Sequence, residues 1–303
     1  MGKLDGKVAF ITGAARGQGR SHAVLLAEEG ADIVGIDICA DMDTCNYPLG
    51  TWEDLEETAR LVEKAGRRME IHKADVRSRD ELQTAVDAGV ERFGRLDIVL
   101  ANAGISNYQQ APYEKSVQAW QDTLDVCLTG VWNTIQIAVP SIIAGDRGGA
   151  IVITASTAAT RVSTTNFDGG FDAYTAAKHG LVGLMRSYAG RLGRHGIRVN
   201  TIHPTTTETP LGRDDRYIGW ATSETEIMST EFNHVLPIMA VDPIDISNGV
   251  LYLVADSGRY VTGQTLHVDA GNATVALGGV AGTGPGGIGV SIAVEPPPGG
   301  AGF

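Results

Sequence analysis

The sequence predicts an α/β fold: a single doubly wound sheet of seven parallel strands with helices on both faces. Three observations predict it. Short apolar runs rich in Val and Ile recur along the chain, amphipathic segments separate them, and the runs are continuously apolar rather than alternating. A strand apolar on both sides needs cover on both sides, and strands joined through helices run parallel with right-handed crossovers.

The first run, Val8 to Thr12, passes directly into Thr12-Gly13-Ala14-Ala15-Arg16-Gly17-Gln18-Gly19 and a helix to Glu29, whose end Gly30 marks. The second, Asp32 to Asp37, is followed by Ile38 to Gly50, far longer than the usual connection, and long loops of this kind tend to be functional. The third, Met69 to Lys73, leads to Asp75 and Val76, and Ser78 with Glu81 forms a capping box for the next helix. The fourth, Leu96 to Ala101, leads to Asn102-Ala103-Gly104 and a long helix. The fifth, Ala150 to Thr154, precedes Ser156, and Tyr174 and Lys178 share the following helix. The sixth, Ile197 to His203, reaches Pro204, Thr207 and Thr209. Asp242 followed by Pro243 is an N-cap with proline in the first turn, and Gln264 to Val268 is the seventh strand.

Composition bounds the partners. The chain has 303 residues, 43% of them apolar, enough for one large α/β domain. A net charge of -12 argues against nucleic acid or an anionic membrane surface, which need a basic face. No apolar signal segment opens the sequence and no later run reaches the ~18 apolar residues of a membrane span. Three cysteines, Cys39, Cys45 and Cys127, without CxxC spacing or neighbouring histidines, point to a reduced, cytoplasmic compartment and no metal site. Residues 274–303 hold ten glycines and four prolines, the composition of a mostly disordered tail, although Ile288 to Val294 is apolar enough for an edge strand or a subunit contact.

Two constellations carry chemistry. Glycines 13, 17 and 19 lie between a strand and a helix, where they admit a pyrophosphate to the helix N-terminus, and Asp37 ends the next strand where a carboxylate can accept hydrogen bonds from a ribose diol. That favours NAD over NADP, and Ile38 stands where a second cation would help NADP. Arg16 is the counter-signal, since a guanidinium there could pair with a 2′-phosphate. In the second constellation Tyr174 and Lys178 are four apart, about 6 Å on one helix face. A nearby ammonium favours phenolate and is expected to lower the tyrosine from its usual value of about 10 toward the working range for proton exchange with an alcohol.

With these motifs in family order, the chain resembles the short-chain dehydrogenase/reductases over residues 3 to 273. The resemblance implies a Rossmann-type fold and an NAD-dependent oxidoreductase, with an NAD-binding and catalytic domain over 1–273 and a Gly/Pro-rich tail over 274–303. It implies that Gly13, Arg16, Gly17, Gln18, Gly19, Asp37 and Ile38 bind the cofactor. Asp75 and Val76 would hold the adenine and Asn102, Ala103 and Gly104 would line the cleft. Ser156 would bind the substrate oxygen, Tyr174 would be the general acid/base, and Lys178 would bind the nicotinamide ribose while depressing the Tyr174 pKa. Pro204, Thr207 and Thr209 would lie near the carboxamide and pyrophosphate.

A narrower likeness, carried by Gly13-Ala-Ala-Arg-Gly-Gln-Gly-Arg-Ser-His22, by the insertion after Asp37 and by Ala177-Lys-His-Gly-Leu-Val-Gly-Leu-Met-Arg186, is to the mycofactocin-associated, carveol-dehydrogenase-like subfamily. This implies an insertion folded over a poorly exchanging NAD, electrons passing to a mycofactocin-type carrier, and a tetramer. Trp220, Ile218, Met228, Phe232, Leu236 and Met239 after Pro204 suggest a small hydrophobic alcohol or ketone, terpenoid-like in character. The chain departs from the family in two places. Cys127 stands where the tetrad has Asn, and eighteen residues separate Ser156 from Tyr174 where about thirteen are usual, so that Thr160 to Asp172 is expected to bulge outward. The Tyr-x6-Lys spacing of enoyl reductases is absent. His179 and His203 read as packing or backbone-bonding histidines. A nucleotide-sugar epimerase or dehydratase and a non-catalytic NAD-binding protein stand as alternatives, the second motivated by Cys127.

Overall fold

Seven strands form one parallel sheet in the order β3-β2-β1-β4-β5-β6-β7. They are β1 (Val8–Thr12), β2 (Asp32–Asp37), β3 (Met69–Lys73), β4 (Ile98–Ala101), β5 (Gly149–Thr154), β6 (Ile197–Pro204) and β7 (Thr265–Val268). The structure, a computed structural model, describes residues 2–45, 47–106, 113–160, 169–211 and 234–274. The expected tail beyond Thr274, residues 161–168 of the expected bulge, and Ile218, Trp220, Met228 and Phe232 lie outside the described residues, whereas 169–172 form the first turn of the helix that carries Tyr174 rather than part of a bulge. The helices are α1 (Gly17–Glu28), α2 (Trp52–Lys64), α3 (Arg79–Phe93), α4 (Tyr113–Leu124), α5 (Val131–Gly145), α6 (Gly169–Leu192) and α7 (Pro243–Val254). Strand order reverses between β1 and β4, which opens a crevice at their carboxyl ends where doubly wound sheets bind ligands.

Side-chain alternation divides the core into two layers. Val8 and Phe10 of β1 point to one face and pack with Leu82 of α3, Ile135 of α5 and Met185 of α6. Ala9 and Ile11 point to the other and pack with Leu26 of α1, Leu55 of α2 and Ile246 of α7. Covered on both faces, β1, β4 and β5 are apolar and buried along nearly their whole length, whereas the edge strands β3 and β7 are only partly buried and carry polar residues. Against the expectation that no run is long and apolar enough for a membrane span, the helical run Ser116–Gly145 is so by length and composition; 61% of its apolar window is buried, as in a core helix.

Local signals place the helix ends. Gly30, at φ 100°, lets α1 stop with its own N–H on Ala27 O at 2.9 Å and that of Ala31 on Leu26 O at 2.9 Å. Half of the expected box at α3 forms. The Ser78 hydroxyl accepts from Glu81 N at 3.3 Å, but the Glu81 carboxylate accepts from Asp75 N at 2.8 Å, because Ser78 N is already on Asp75 O. A box that sequence reading missed starts α2, where Thr51 and Asp54 exchange backbone-to-side-chain bonds, each 3.1 Å. Strand β4 begins at Ile98 rather than Leu96, and the Asp97 carboxylate there accepts from Val8 N at 2.9 Å.

Candidate active site

The crevice at the β1–β4 switch point continues over the ends of β5 and β6 as a cleft of about 240 Å³. At its floor the Thr12 hydroxyl accepts from the N–H groups of both Asn102 and Ala103 at 3.0 Å, tying the end of β1 to the turn after β4. The Asn102 amide donates to Thr12 O at 3.1 Å and accepts from the Thr154 hydroxyl at 3.2 Å, so three strand ends share one side chain. Gly13 has φ 70°, and a Cβ there would lie 2.9 Å from Ala103 Cα. At Gly19 a Cβ would come within 1.9 Å of Gly13 O, so α1 can press its N-terminus against the turn only with glycine there.

Residues that sequence reading did not single out hold this turn in place. Arg20 donates through Nε to Ala15 O at 3.1 Å and to Thr58 Oγ1 at 3.0 Å, and the Thr58 hydroxyl donates to Ala15 O at 3.0 Å. Ala15 N in turn donates to Asp37 Oδ2 at 3.0 Å. Burial raises the Asp37 carboxyl above the usual range, opposed by the N–H groups of Ala15 and Cys39 and by the charge of Arg16. Asp37 and Ile38 line the cleft with Asp75 and Val76, the last 7% exposed. The Asp75 carboxylate is held by Arg77 Nε and Nη2 at 2.8 and 2.6 Å.

The remaining predicted residues line the same cleft: Arg16, Gly17, Gln18, Ala103, Gly104, Ser156, Tyr174, Lys178, Pro204, Thr207 and Thr209. Ser156 follows β5 in extended conformation, and its hydroxyl accepts from Ala158 N at 3.1 Å. Lys178 is 3% exposed; its ammonium donates to Thr154 O at 2.8 Å and lies 5.2 Å from the centre of the Tyr174 ring. Burial lowers the Lys178 pKa. Phe171, also in the cleft wall, stacks on Tyr174 with ring centres 6.1 Å apart. His179 bonds Thr175 O at 2.9 Å and His203 bonds Ser156 O at 2.9 Å, the backbone roles expected of them.

Cys127 sits in a π-helical turn, Asp125–Gly130, between α4 and α5. Its buried thiol donates to Ile105 O at 3.2 Å and accepts from Ile105 N at 3.4 Å. Burial pushes the thiol up, against the lowering effects of Lys178 and the Ile105 N–H. A neutral thiol thus engages both backbone groups of one residue beside Gly104, as an amide's paired donor and acceptor could. Cys39 and Cys45 are free thiols too, pushed up by burial to about 11 and about 12.

The insertion after Asp37, expected from the resemblance to fold over the cofactor, contributes Met42, Tyr47, Leu49 and Gly50 to the cleft wall, residues not among the predicted site residues. Hydrogen bonds to the rest of the fold, and one within the insertion, hold its described residues. Arg16 Nη2 donates to Pro48 O, so its guanidinium is bonded to the insertion. Thr44 donates to Asp122 on α4 at 2.8 Å, Leu49 N donates to Asp41 at 2.8 Å, and the Tyr47 hydroxyl accepts from Ser106 N at 3.1 Å. Burial raises the Tyr47 phenol well above its ordinary value. Leu236 and Met239, expected as substrate cover, are exposed at 57% and 62% and do not line the cleft.

Comparison with known proteins bears on the family and the fold. A family model described as Enoyl-(Acyl carrier protein) reductase matches residues 13–273. The chain is 45% identical to a (-)-trans-carveol dehydrogenase from Rhodococcus erythropolis, over 89% of this chain and 99% of that one. It is 47% identical to a short-chain type dehydrogenase/reductase from Mycolicibacterium smegmatis, over 89% and 98%. A crystal structure of carveol dehydrogenase from Mycobacterium avium in complex with NAD superposes with a TM-score of 0.84 at 45% identity, covering 90% of this chain and 100% of that one. By its Rossmann-type sheet, its glycine turn and these relatives, the chain belongs to the short-chain dehydrogenase/reductase family.

Proposed function

We propose that the chain is an NAD-dependent dehydrogenase/ketoreductase for small hydrophobic secondary alcohols, carveol-like terpenoids among them. The observation that carries this is the meeting of Ser156, Tyr174 and Lys178 with the glycine turn and Asp37 in one cleft. The cleft fits a dinucleotide: Gly13 and Gly19 leave no room for a side chain at the helix start, and the buried Oε1 of Gln18 has no hydrogen-bond partner among the described residues. Asp37 would take the adenosine ribose diol, Asp75 and Val76 the adenine, and Lys178 the nicotinamide ribose. NAD, when bound, supplies the hydride acceptor.

The chain's own part is proton handling. Ala158 N–H occupies one lone pair of Ser156 Oγ, which leaves the hydroxyl proton to donate to the substrate oxygen. Tyr174 takes the alcohol proton as the C–H hydride leaves, and returns it in the opposite direction. Lys178, its ammonium against the Tyr174 ring, stabilises the phenolate that accepts this proton. Loss of the C–H hydride, with its electron pair, and of the hydroxyl proton together leaves a ketone. Phe171 beside Tyr174, with Ile105 and Met42, gives the cleft the apolar walls that a hydrocarbon skeleton needs.

The bonds of Arg16, Thr44 and Tyr47 that tie the insertion to the rest of the fold support a second element of the reading: it acts as a lid that retards NAD exchange, so that electrons leave through a mycofactocin-type carrier. The catalytic unit is 1–273 with the tail appended, acting as a cytoplasmic homotetramer. The test is to purify the protein, desalt it thoroughly and supply secondary alcohols with an artificial dye but no NAD. Retained nicotinamide and alcohol-dependent dye reduction are expected. Loss of cofactor on desalting, with ordinary turnover of added NAD, would overturn the lid, and inactivity in both formats would overturn the dehydrogenase.

A further inference from the structure

The substrate-facing turn after β5 is held from beneath by two histidines that the reaction itself does not use. His203, fully buried on β6, reaches Ser156 O through Nδ1 at 2.9 Å and Thr201 Oγ1 through Nε2 at 2.9 Å. His267, its register partner on β7, lies with its ring 4.8 Å from that of His203 and bonds the Thr160 hydroxyl at 3.3 Å. The turn Thr157–Ala159 is thus gripped at both ends, at Ser156 and at Thr160.

The tautomer follows from the partners. A carbonyl can only accept, so Nδ1 carries the proton, and the lone pair on Nε2 takes the Thr201 hydroxyl. Burial and the neighbouring His267 push His203 down to about 4, so near neutral pH the ring stays uncharged and the arrangement persists. Ser156 O also accepts from Ala159 N at 3.0 Å, and Ser156 Oγ from Ala158 N at 3.1 Å. Every contact that sets the direction of the Ser156 hydroxyl therefore belongs to one short turn whose only fixed strut from the sheet, among the described hydrogen bonds to Ser156, is His203.

We propose that His203 is a positioning residue: it aims Ser156 at the substrate oxygen by holding its carbonyl, and contributes to turnover only through that serine. This rests on the dehydrogenase reading of the cleft. Its test is a double-mutant cycle on the full chain, with secondary-alcohol turnover and NAD binding measured for His203→Leu, Ser156→Ala and the double variant. His203→Leu should lower kcat about 10- to 100-fold, as small misplacements of reacting groups do, with NAD affinity unchanged. In the Ser156→Ala background the same change should cost less than about twofold, since the residue it aims is gone.

A paired comparison covers misfolding of the leucine variant. His203→Asn places an amide N–H where Nδ1 was and should recover most of the rate, whereas His203→Gln carries its amide past Ser156 toward Thr201 and should not. Equal losses in the two backgrounds, or equal rates for Asn and Gln, would overturn the role. An inactive parent would overturn the dehydrogenase and this role together; an active parent matched by His203→Leu would overturn this role alone.

Discussion

Removing one oxygen from Tyr47 tests the lid most sharply. The Tyr47 hydroxyl accepts from Ser106 N at 3.1 Å, the phenol is buried, and Ser106 is 1% exposed. Tyr47→Phe keeps the ring and leaves that N–H without its acceptor in a dry site, at about 1–3 kcal/mol. The loss falls on the closed lid alone, because an opened lid exposes the same N–H to water. The closed-to-open ratio should therefore drop about 5- to 150-fold, and NAD dissociation should quicken by the same factor where lid opening gates release. The assay is a stopped-flow chase of bound NADH fluorescence with excess NAD. A dissociation rate within about twofold of the parent, in a folded variant, would refute the argument that Tyr47 latches the insertion over the cofactor.

Three further outcomes follow from the same geometry. Asp37→Ala should let NADP compete, narrowing NAD preference about 10- to 100-fold in kcat/KM, because the carboxylate that accepts from a diol also repels a phosphate; unchanged NADP kinetics would make Asp37 a turn residue held by Ala15. Stability should fall on acidification. His22 and His203 are buried and held at about 3 and about 4, below their unfolded value, so the unfolded chain binds more protons from about pH 6.5 downward, and each histidine removes about 1.4 kcal/mol per pH unit. Urea midpoints at pH 7 and pH 5 measure this, and His22→Gln should remove about half of the slope. Arg198→Ala should cost about 2–3 kcal/mol in thermal or urea unfolding, since its guanidinium donates to the carbonyls of Leu253, Val254 and Gly258 at the end of α7.

Much of this was legible in the residues, and the reasons differ from one to the next. The glycine turn could be read because Gly13 and Gly19 answer to backbone contacts that no other residue survives, and Asp37 because a strand end fixes where its carboxylate lies. Tyr174 and Lys178 could be read because helix geometry sets their separation. The insertion could be measured but not placed, since a loop's length does not say where it lands. Its anchors, Tyr47 on Ser106 and Thr44 on Asp122, join residues 59 and 78 positions apart. Arg16 was ambiguous for the same reason, because its partner, Pro48 O, belongs to that loop. Glu81 reaches Asp75 rather than Ser78 because two acceptable donors lay within one side chain's length. Leu236 and Met239 are apolar yet exposed, which composition cannot distinguish from a cleft wall.

The central claim is that Tyr174 moves the proton while the glycine turn and Asp37 hold NAD. The measurement that tests it most directly is a single-turnover assay of Tyr174→Phe carrying a full complement of NAD, mixed with a secondary alcohol the parent oxidises. The account predicts undiminished cofactor occupancy and no formation of NADH above background. NADH formation at the parent's rate would contradict it.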